Sequence, residues 1–163
     1  MKFKEFEKEY DKIKLKHKNI KIPNLKDLDK EFSIQYDINK LDETPNNIVN
    51  FVIGNMINAF NNYLNWCYSL KYGNPQSGII NQESSFLDEK EKSHLMKILY
   101  KITTISRLSP GVYLEDSENK VELIGSLYSQ WLEIKPFLKE TSEKVRVKWQ
   151  KSYEEFDPNK RQF

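Results

Sequence analysis

Residues 44–70 read TPNNIVNFVIGNMINAFNNYLNWCYSL and form the organising segment of the chain. They contain no charged side chain, although Asp, Glu, Lys and Arg make up 31% of the sequence. Placed at helical steps of about 100°, the large apolar residues fall on one broad face. These are Val52, Ile53, Met56, Ile57, Ala59, Phe60, Tyr63, Leu64, Trp66, Cys67 and Leu70. The segment therefore predicts a long central helix with a wide side that faces the core.

Both ends of this helix carry start and stop signals. Thr44 can cap a helix, and Pro45 fits its first position, where no backbone hydrogen bond is lost. At the other end Lys71 is followed by Gly73 and Pro75, a combination typical of a helix terminus. We therefore expect the central helix to span about residues 45–72.

The opposite side of the central helix carries neutral amides. It contains Asn50, Asn55, Asn58, Asn61, Asn62 and Asn65. This is unusual for a solvated helix, because Asn is a mediocre helix former that favours turns and caps. Three interpretations are open: the amides face solvent, they are buried against the N-terminal segment, or they meet another subunit or protein. We take Asn58, Asn61, Asn62 and Asn65 as the candidate protein-interaction face.

Composition favours a single all-α domain. A chain of 163 residues can bury a core without disulfides or metals. Nine Phe, nine Tyr and three Trp supply large buried areas, while five Gly and six Pro are too few for a turn-rich β sandwich. We predict a bundle of five or six helices. Residues 1–22 form a basic N-terminal helix or arm, 23–157 the bundle domain and 158–163 a tail.

The segment before the central helix gives a mixed pattern. Phe3, Phe6 and Tyr10 follow a spacing of three and four, which predicts a first helix. Asn24 is a candidate cap for a second helix. From Phe32 to residue 38 the apolar residues alternate, so an extended connector and further helix are both open.

After the central helix, residues 73–86 are predicted to be the longest loop, and such loops often carry function. Ser85 with Asp88 three residues later indicates the next helix start. A further helix starts near Asp116, and Pro136 either kinks it or begins a new helix. Core positions predicted for this part include Trp131, Leu132, Trp149, Tyr153 and Phe156.

Little in the sequence indicates catalysis. Glu91 and His94 have the Glu-x-x-His spacing of di-iron bundles, but a second such pair is missing, since His17 has Lys14 three residues before it. Two histidines and one cysteine are too few for a zinc site. No nucleophile motif or Gly-rich phosphate loop occurs. We therefore assign no catalytic, metal-binding or cofactor-binding residues, and a metal-dependent or hydrolytic enzyme is only a third hypothesis.

Positive charge is concentrated in residues 12–26 and 135–151, although the net charge is only +2. The candidate RNA-binding residues are Lys12, Lys14, Lys16, Lys18, Lys144, Arg146, Lys148 and Lys151. Such stretches can neutralise phosphates. Exposed lysines also keep a protein in solution, and specific phosphate recognition usually prefers arginine, of which the sequence has three. An RNA- or ribosome-associated factor is therefore the second hypothesis.

The leading hypothesis is a non-enzymatic helical protein that binds another macromolecule. The partner would be a protein, with this chain as adaptor or accessory subunit, or a second copy in a homo-oligomer. The N-terminal residues lack the apolar segment of a signal peptide, and a lone Cys67 cannot form an internal disulfide. Six Asn on the central helix argue against a membrane span. We expect a cytoplasmic protein without cofactor, disulfide or transmembrane segment.

Overall fold

The computed structural model describes residues 2–41, 43, 45, 47–108, 111 and 116–155. These residues form seven α-helices and no strand. The helices are α1 (Lys2–Lys16), α2 (Leu25–Phe32), α3 (Ile34–Lys40), α4 (Ile48–Tyr72), α5 (Gly78–Ser85), α6 (Glu89–Ser106) and α7 (Ser117–Glu154). The predicted all-α class is confirmed, but the number of helices exceeds the predicted five or six. The domain division at residues 22 and 157 stays a prediction.

The central helix α4 begins later than its sequence predicts. Its cap is Asn47, whose side-chain oxygen accepts a hydrogen bond from the backbone N–H of Asn50 at 2.9 Å. Pro45 therefore precedes the helix, and Thr44 lies outside the described residues. The predicted end is confirmed: Gly73 follows the helix with a φ of 70° and donates its N–H to the carbonyl of Ser69 at 2.8 Å. Glycine suits this position because positive φ strains other residues.

The core is built around the apolar side of α4. Its buried residues are Val52, Ile53, Met56, Ile57, Phe60, Cys67 and Leu70. Helix α6 is its main neighbour, and α5 and α7 also pack on it. Burial raises the pKa of the Cys67 thiol to about 12, so this residue behaves as a small buried hydrophobe.

Helix α1 contributes to the same core. Phe6 and Tyr10 are wholly buried, and the ring of Phe6 meets that of Phe51 edge-on at 5.5 Å. The Tyr10 hydroxyl donates to the carbonyl of Pro23 at 3.1 Å, and burial raises its pKa. The first helix predicted from the aromatic spacing is therefore present and packs against α4.

The alternating segment from Phe32 to Lys40 is helical. Ser33 adopts left-handed φ and ψ of 53° and 38°, which separates α2 from α3. Asp29 stabilises this junction, because its backbone oxygen accepts from Ser33 N–H and its carboxylate accepts from Gln35 N–H. The turn at Ser33 resets the helical phase, so that the alternating residues Phe32, Ile34 and Ile38 are all buried.

The predicted loop over residues 73–86 is wrong for most of its length, because α5 occupies Gly78–Ser85. Ser77 is its cap, with the hydroxyl accepting from Ile80 N–H at 3.3 Å. The start predicted at Ser85 is also misplaced. The cap of α6 is Asp88, and Glu91 completes a reciprocal capping box with two hydrogen bonds of 2.8 Å.

Helix α7 continues through Pro136, so no new helix begins there. Packing on both sides of the proline outweighs its cost of about 3 kcal/mol. On one side Trp131 donates its indole N–H to Glu31 at 2.8 Å, and Lys135 donates to the same carboxylate at 2.6 Å. On the other side Leu138 is buried.

Two core positions predicted on α7 are wrong. Leu132 is 48% exposed and Tyr153 is 83% exposed. Both lie off the stripe that faces the core, which runs through Ile124, Leu127, Trp131, Ile134, Leu138, Thr141 and Val145. Trp66 and Trp149 are partly buried against the core, and Phe156 lies outside the described residues.

Substituting Gly125 tests the junction between α7 and the segment after α1. A Cβ at this position would collide with the backbone carbonyl oxygen of Lys21. We expect Gly125→Ala to lower the free energy of unfolding by about 1 kcal/mol or more. Gly54→Ala in α4 is the matched control, because its Cβ meets nothing within 4 Å. That variant should gain up to about 1 kcal/mol from helix propensity. Urea unfolding measures both, and equal stabilisation would contradict the close approach.

Substituting Glu31 tests the bond network between α2 and α7. Burial raises the pKa of this carboxyl, but hydrogen bonds from Lys135 and Trp131 outweigh burial and lower it overall. A lowered folded-state pKa stabilises the protein above the unfolded-state pKa, and this contribution disappears as pH falls through the folded-state pKa. We expect Glu31→Gln to cost about 2 kcal/mol at neutral pH.

The difference between wild type and Glu31→Gln should shrink as the pH falls below the ordinary carboxyl range. Urea unfolding at neutral and acidic pH measures it. Glu133→Gln is the control, because this exposed carboxylate pairs with Lys101 at the surface and should cost less than about 1 kcal/mol. A pH-independent cost of Glu31→Gln would rule out the ion pair as its origin.

Candidate functional site

The four candidate amides lie on the open side of α4. Asn58, Asn62 and Asn65 are exposed, and Asn61 is half-buried. No described residue forms a hydrogen bond with any of these four side chains. The N-terminal segment therefore does not bury them within the described chain. Whether they meet solvent or another protein stays a prediction.

The other two amides of the stripe, Asn50 and Asn55, are half-buried. Asn55 donates its side-chain N–H to the carbonyl of Phe51 at 3.0 Å. The side-chain oxygen of Asn50 is buried without a hydrogen-bond partner among the described residues. The exposed amides are thus confined to the C-terminal two-thirds of α4.

The amide stripe continues into exposed tyrosines. Asn61, Asn65, Tyr68 and Tyr72 follow at spacings of four, three and four residues, which places them on one side of the helix. Tyr68 and Tyr72 are 59% and 54% exposed, and their ring centroids lie 4.7 Å apart. Across from them on α6, Tyr100 is 69% exposed.

A groove of about 460 Å³ runs between these tyrosines. The α4 wall includes Asn65 and both tyrosines, and the α6 wall includes Met96, Tyr100 and Arg107. The Tyr72 hydroxyl donates to the sulfur of Met96 at 3.3 Å and so closes one part of the floor. Among the described residues, none that is acidic lines the groove, and Arg107 is its only charged one.

We call this surface the Asn–Tyr face and define it as Asn58, Asn61, Asn62, Asn65, Tyr68, Tyr72 and Tyr100. Amides donate and accept hydrogen bonds without the desolvation cost of an ion. Tyrosine offers a large, rigid ring with a polar end, which is why it is enriched at protein interfaces. The face therefore has the chemistry of a protein-binding surface.

Sequence reasoning found only the amide part of this face. The helical spacing from Asn61 to Tyr72 is the signal that could have placed Tyr68 and Tyr72 on the same side of α4 as the amides. Tyr100 could not be found in this way, because its position opposite Tyr72 depends on how α6 packs on α4.

Glu91 and His94 do lie together, in a cleft of about 630 Å³ between α6 and α7. Both oxygens of Glu91 are used within the fold, since one accepts from Lys144 and the other from Asp88 N–H. These bonds, with that from Lys144 the larger effect, lower the pKa of Glu91. The His94 ring packs on Phe137 with centroids 4.3 Å apart. The described residues include no group of three or more His, Cys, Asp or Glu side chains placed to hold a metal ion.

Half of the candidate RNA-binding residues are bonded within the chain. Lys12 pairs with Glu9 at 2.5 Å, and Lys14 donates to the side chain of Asn24. The remaining pairs are Lys144 with Glu91 and Arg146 with Glu143. In contrast, Lys16, Lys18, Lys148 and Lys151 are exposed, and none of them makes an ion pair with a described residue.

Lys144 of the second basic stretch lies far from Lys21 of the first. Gly125 of α7 lies against the backbone of Lys21, which is within the first basic stretch. Lys144 is nineteen residues further along α7, about 28 Å at the rise of an α-helix. A short nucleic-acid segment therefore does not contact Lys21 and Lys144 at the same time.

Comparison with known proteins gave no match to a family model, to a curated protein or to a solved structure. In the part of the chain that the structure describes, no helix is long and apolar enough to cross a membrane. The class defined by the fold and its open surface is an all-α bundle with an uncharged, tyrosine-bearing face. The functional argument therefore starts from the chemistry of that face.

If the Asn–Tyr face serves binding, its exposed side chains are dispensable for folding. We expect Asn62→Gln and Tyr100→Gln each to change the free energy of unfolding by less than about 0.5 kcal/mol. Phe60→Ala in the buried side of the same helix should cost about 3 to 5 kcal/mol. Urea unfolding measures all three. A loss above 2 kcal/mol for Tyr100→Gln would make this tyrosine structural.

Proposed function

We propose that this chain is a non-enzymatic protein that binds a protein partner through the Asn–Tyr face. The observation that carries the proposal is the continuity of exposed amides and exposed tyrosines along α4. Asn58, Asn62 and Asn65 make no bond within the described chain, and Tyr68 and Tyr72 extend the same surface. An uncharged patch with aromatic anchors matches the composition of protein interfaces.

The charges of the face favour a protein over a nucleic acid. Binding to a phosphate backbone requires several cations, because counterion release supplies most of the affinity. The Asn–Tyr face itself contains no Lys or Arg, and Arg107 lies only at one wall of its groove. Amides can instead satisfy the backbone and polar side chains of a protein partner.

RNA binding through residues 12–26 and 135–151 has weaker support. Lys12, Lys144 and Arg146 are already paired with carboxylates of the chain, and this pairing lowers the charge that each can offer. Lys14 donates to the neutral side chain of Asn24 and keeps its charge. Lys148 and Lys151 are the cations best placed for this alternative. The photo-crosslinking experiment described next distinguishes RNA binding from protein binding.

Site-specific photo-crosslinking tests the proposal. A photoreactive residue replaces Tyr100, on the face, or Tyr153, which is 83% exposed on α7 and serves as the matched control. After irradiation in nuclease-treated native lysate, we expect one discrete protein adduct from position 100 and none from position 153. Asn58→Lys with Asn62→Lys should abolish the adduct, because two buried cations would lose their hydration at the interface.

The other outcomes separate the alternatives. An adduct of twice the chain's own mass, with concentration-dependent light scattering of the pure protein, identifies a second copy as the partner. Equal adducts from both positions, or no adduct at position 100, contradict the proposed face. Crosslinks that form in a parallel sample of untreated lysate and are absent after nuclease treatment, together with loss of RNA affinity in Lys148→Glu with Lys151→Glu, favour the RNA alternative.

A further inference from the structure

A second cleft lies on the other side of α4, away from the tyrosine groove. It has a volume of about 590 Å³ and is formed by α2, α4 and α7. This volume is in the range of small-molecule sites. Its lining combines aromatic side chains of α4 and α7 with lysines of α2 and α7.

The aromatic wall of this cleft is rigid. The Tyr63 ring lies 5.3 Å from that of Trp131 and 6.4 Å from that of Trp66. Trp131 is 4% exposed and is fixed by its hydrogen bond to Glu31. Tyr63 remains 36% exposed and Trp66 is half-buried, so both present ring surface to the cleft. A planar ring can stack on such a surface.

The cleft contains two lysines that form no ion pair with a described residue. Glu31 is compensated by Lys135 at 2.6 Å, and Glu143 by Arg146, whose Nε lies at 2.9 Å. Lys30 and Lys139 also line the cleft and are exposed. Neither makes an ion pair with a described residue. The cleft therefore joins a neutral aromatic wall to a lining of three lysines and two glutamates, in which the positive charges are in excess.

We propose that this cleft binds a nucleotide, with the base stacked on the Tyr63 ring beside the near-perpendicular ring of Trp66 and the phosphate held by Lys30 and Lys139. An aromatic wall selects a planar ring, and the two lysines select an anion attached to it. The same chemistry is present in a free nucleotide and in a nucleotide unit of single-stranded RNA. The proposal does not depend on the Asn–Tyr face, from which the cleft is separate.

Binding of the four ribonucleoside monophosphates to the full chain tests the proposal. Calorimetry and tryptophan fluorescence should show saturable binding of one molecule per chain by at least one of them. Its nucleoside and inorganic phosphate should each bind at least about tenfold more weakly, because each lacks one of the two recognised parts.

Variants that replace exposed lysines by uncharged glutamine localise the site. Lys30→Gln with Lys139→Gln should weaken nucleotide binding roughly tenfold or more. Lys4→Gln with Lys8→Gln is the matched control, since these exposed lysines lie on α1, outside the cleft, and it should bind as wild type. Tyr63→Leu, which keeps an apolar side chain, should also weaken binding. Circular dichroism confirms that each variant is folded.

Several results would overturn the proposal. One is the absence of saturable binding by all four nucleotides. Another is an equal loss of nucleotide affinity in the two double lysine variants. A third is binding of inorganic phosphate as tight as that of the nucleotide. A short single-stranded RNA can be tested for displacement of the bound nucleotide. If it binds more tightly than the free nucleotide, and loses this advantage in the variant Lys30→Gln with Lys139→Gln, the result supports the site with RNA as its ligand. Competition weaker than that of the free nucleotide supports the site with a free nucleotide as the source.

Discussion

Burial of one side of α4 is the constraint on which the arrangement of the molecule depends. Residues from Val52 to Leu70 on that side are enclosed by α1, α5, α6 and α7. Enclosing a helix on one side leaves the opposite side of the same helix open, since those neighbours can pack only against the apolar face. The position of the Asn–Tyr face follows from this. So do the groove beside Tyr100 and the cleft beside Tyr63, because each forms where α4 meets a neighbour, α6 in one case and α7 in the other.

Local sequence signals predicted the fold well where one signal dominates. The apolar spacing of α4 and the glycine at residue 73 identified its core side and its end. The signals competed elsewhere. Asn47, two residues after Pro45, provides the cap in place of an earlier start. Ser77, within the segment predicted to be a loop, is a helix cap. Ser33 turns the chain between α2 and α3, so the apolar residues on its two sides belong to different helices. For this reason their strand-like alternation is compatible with two short helices. Pro136 lies inside a helix because tertiary bonds on its N-terminal side hold the chain in place.

The candidate site was only partly predictable, and the reason is the separation of its parts along the chain. The amides of α4 repeat at helical spacing and are visible in the sequence. Tyr100 joins them only through the packing of α6. The same limit affects the charges. Lys144 looked free, but it pairs with Glu91, which is 53 residues earlier in the chain. Lys135 looked like part of a basic stretch, yet it neutralises Glu31 from α2. The positive charge that remains available is therefore smaller and more dispersed than the sequence indicates.

The distribution of charge explains how an uncharged helix face can stay exposed in this protein. The 26 basic and 24 acidic residues lie outside residues 44–70, and they keep the rest of the surface hydrated. The amides of α4 hold water without ions, so a partner that displaces this water loses less hydration energy than it would over Lys and Glu. Tyrosine rings add contact area at a low cost in side-chain entropy. A face of this kind is compatible with both a free and a bound state. A fully apolar face would instead require a permanent partner, because large exposed apolar patches promote aggregation.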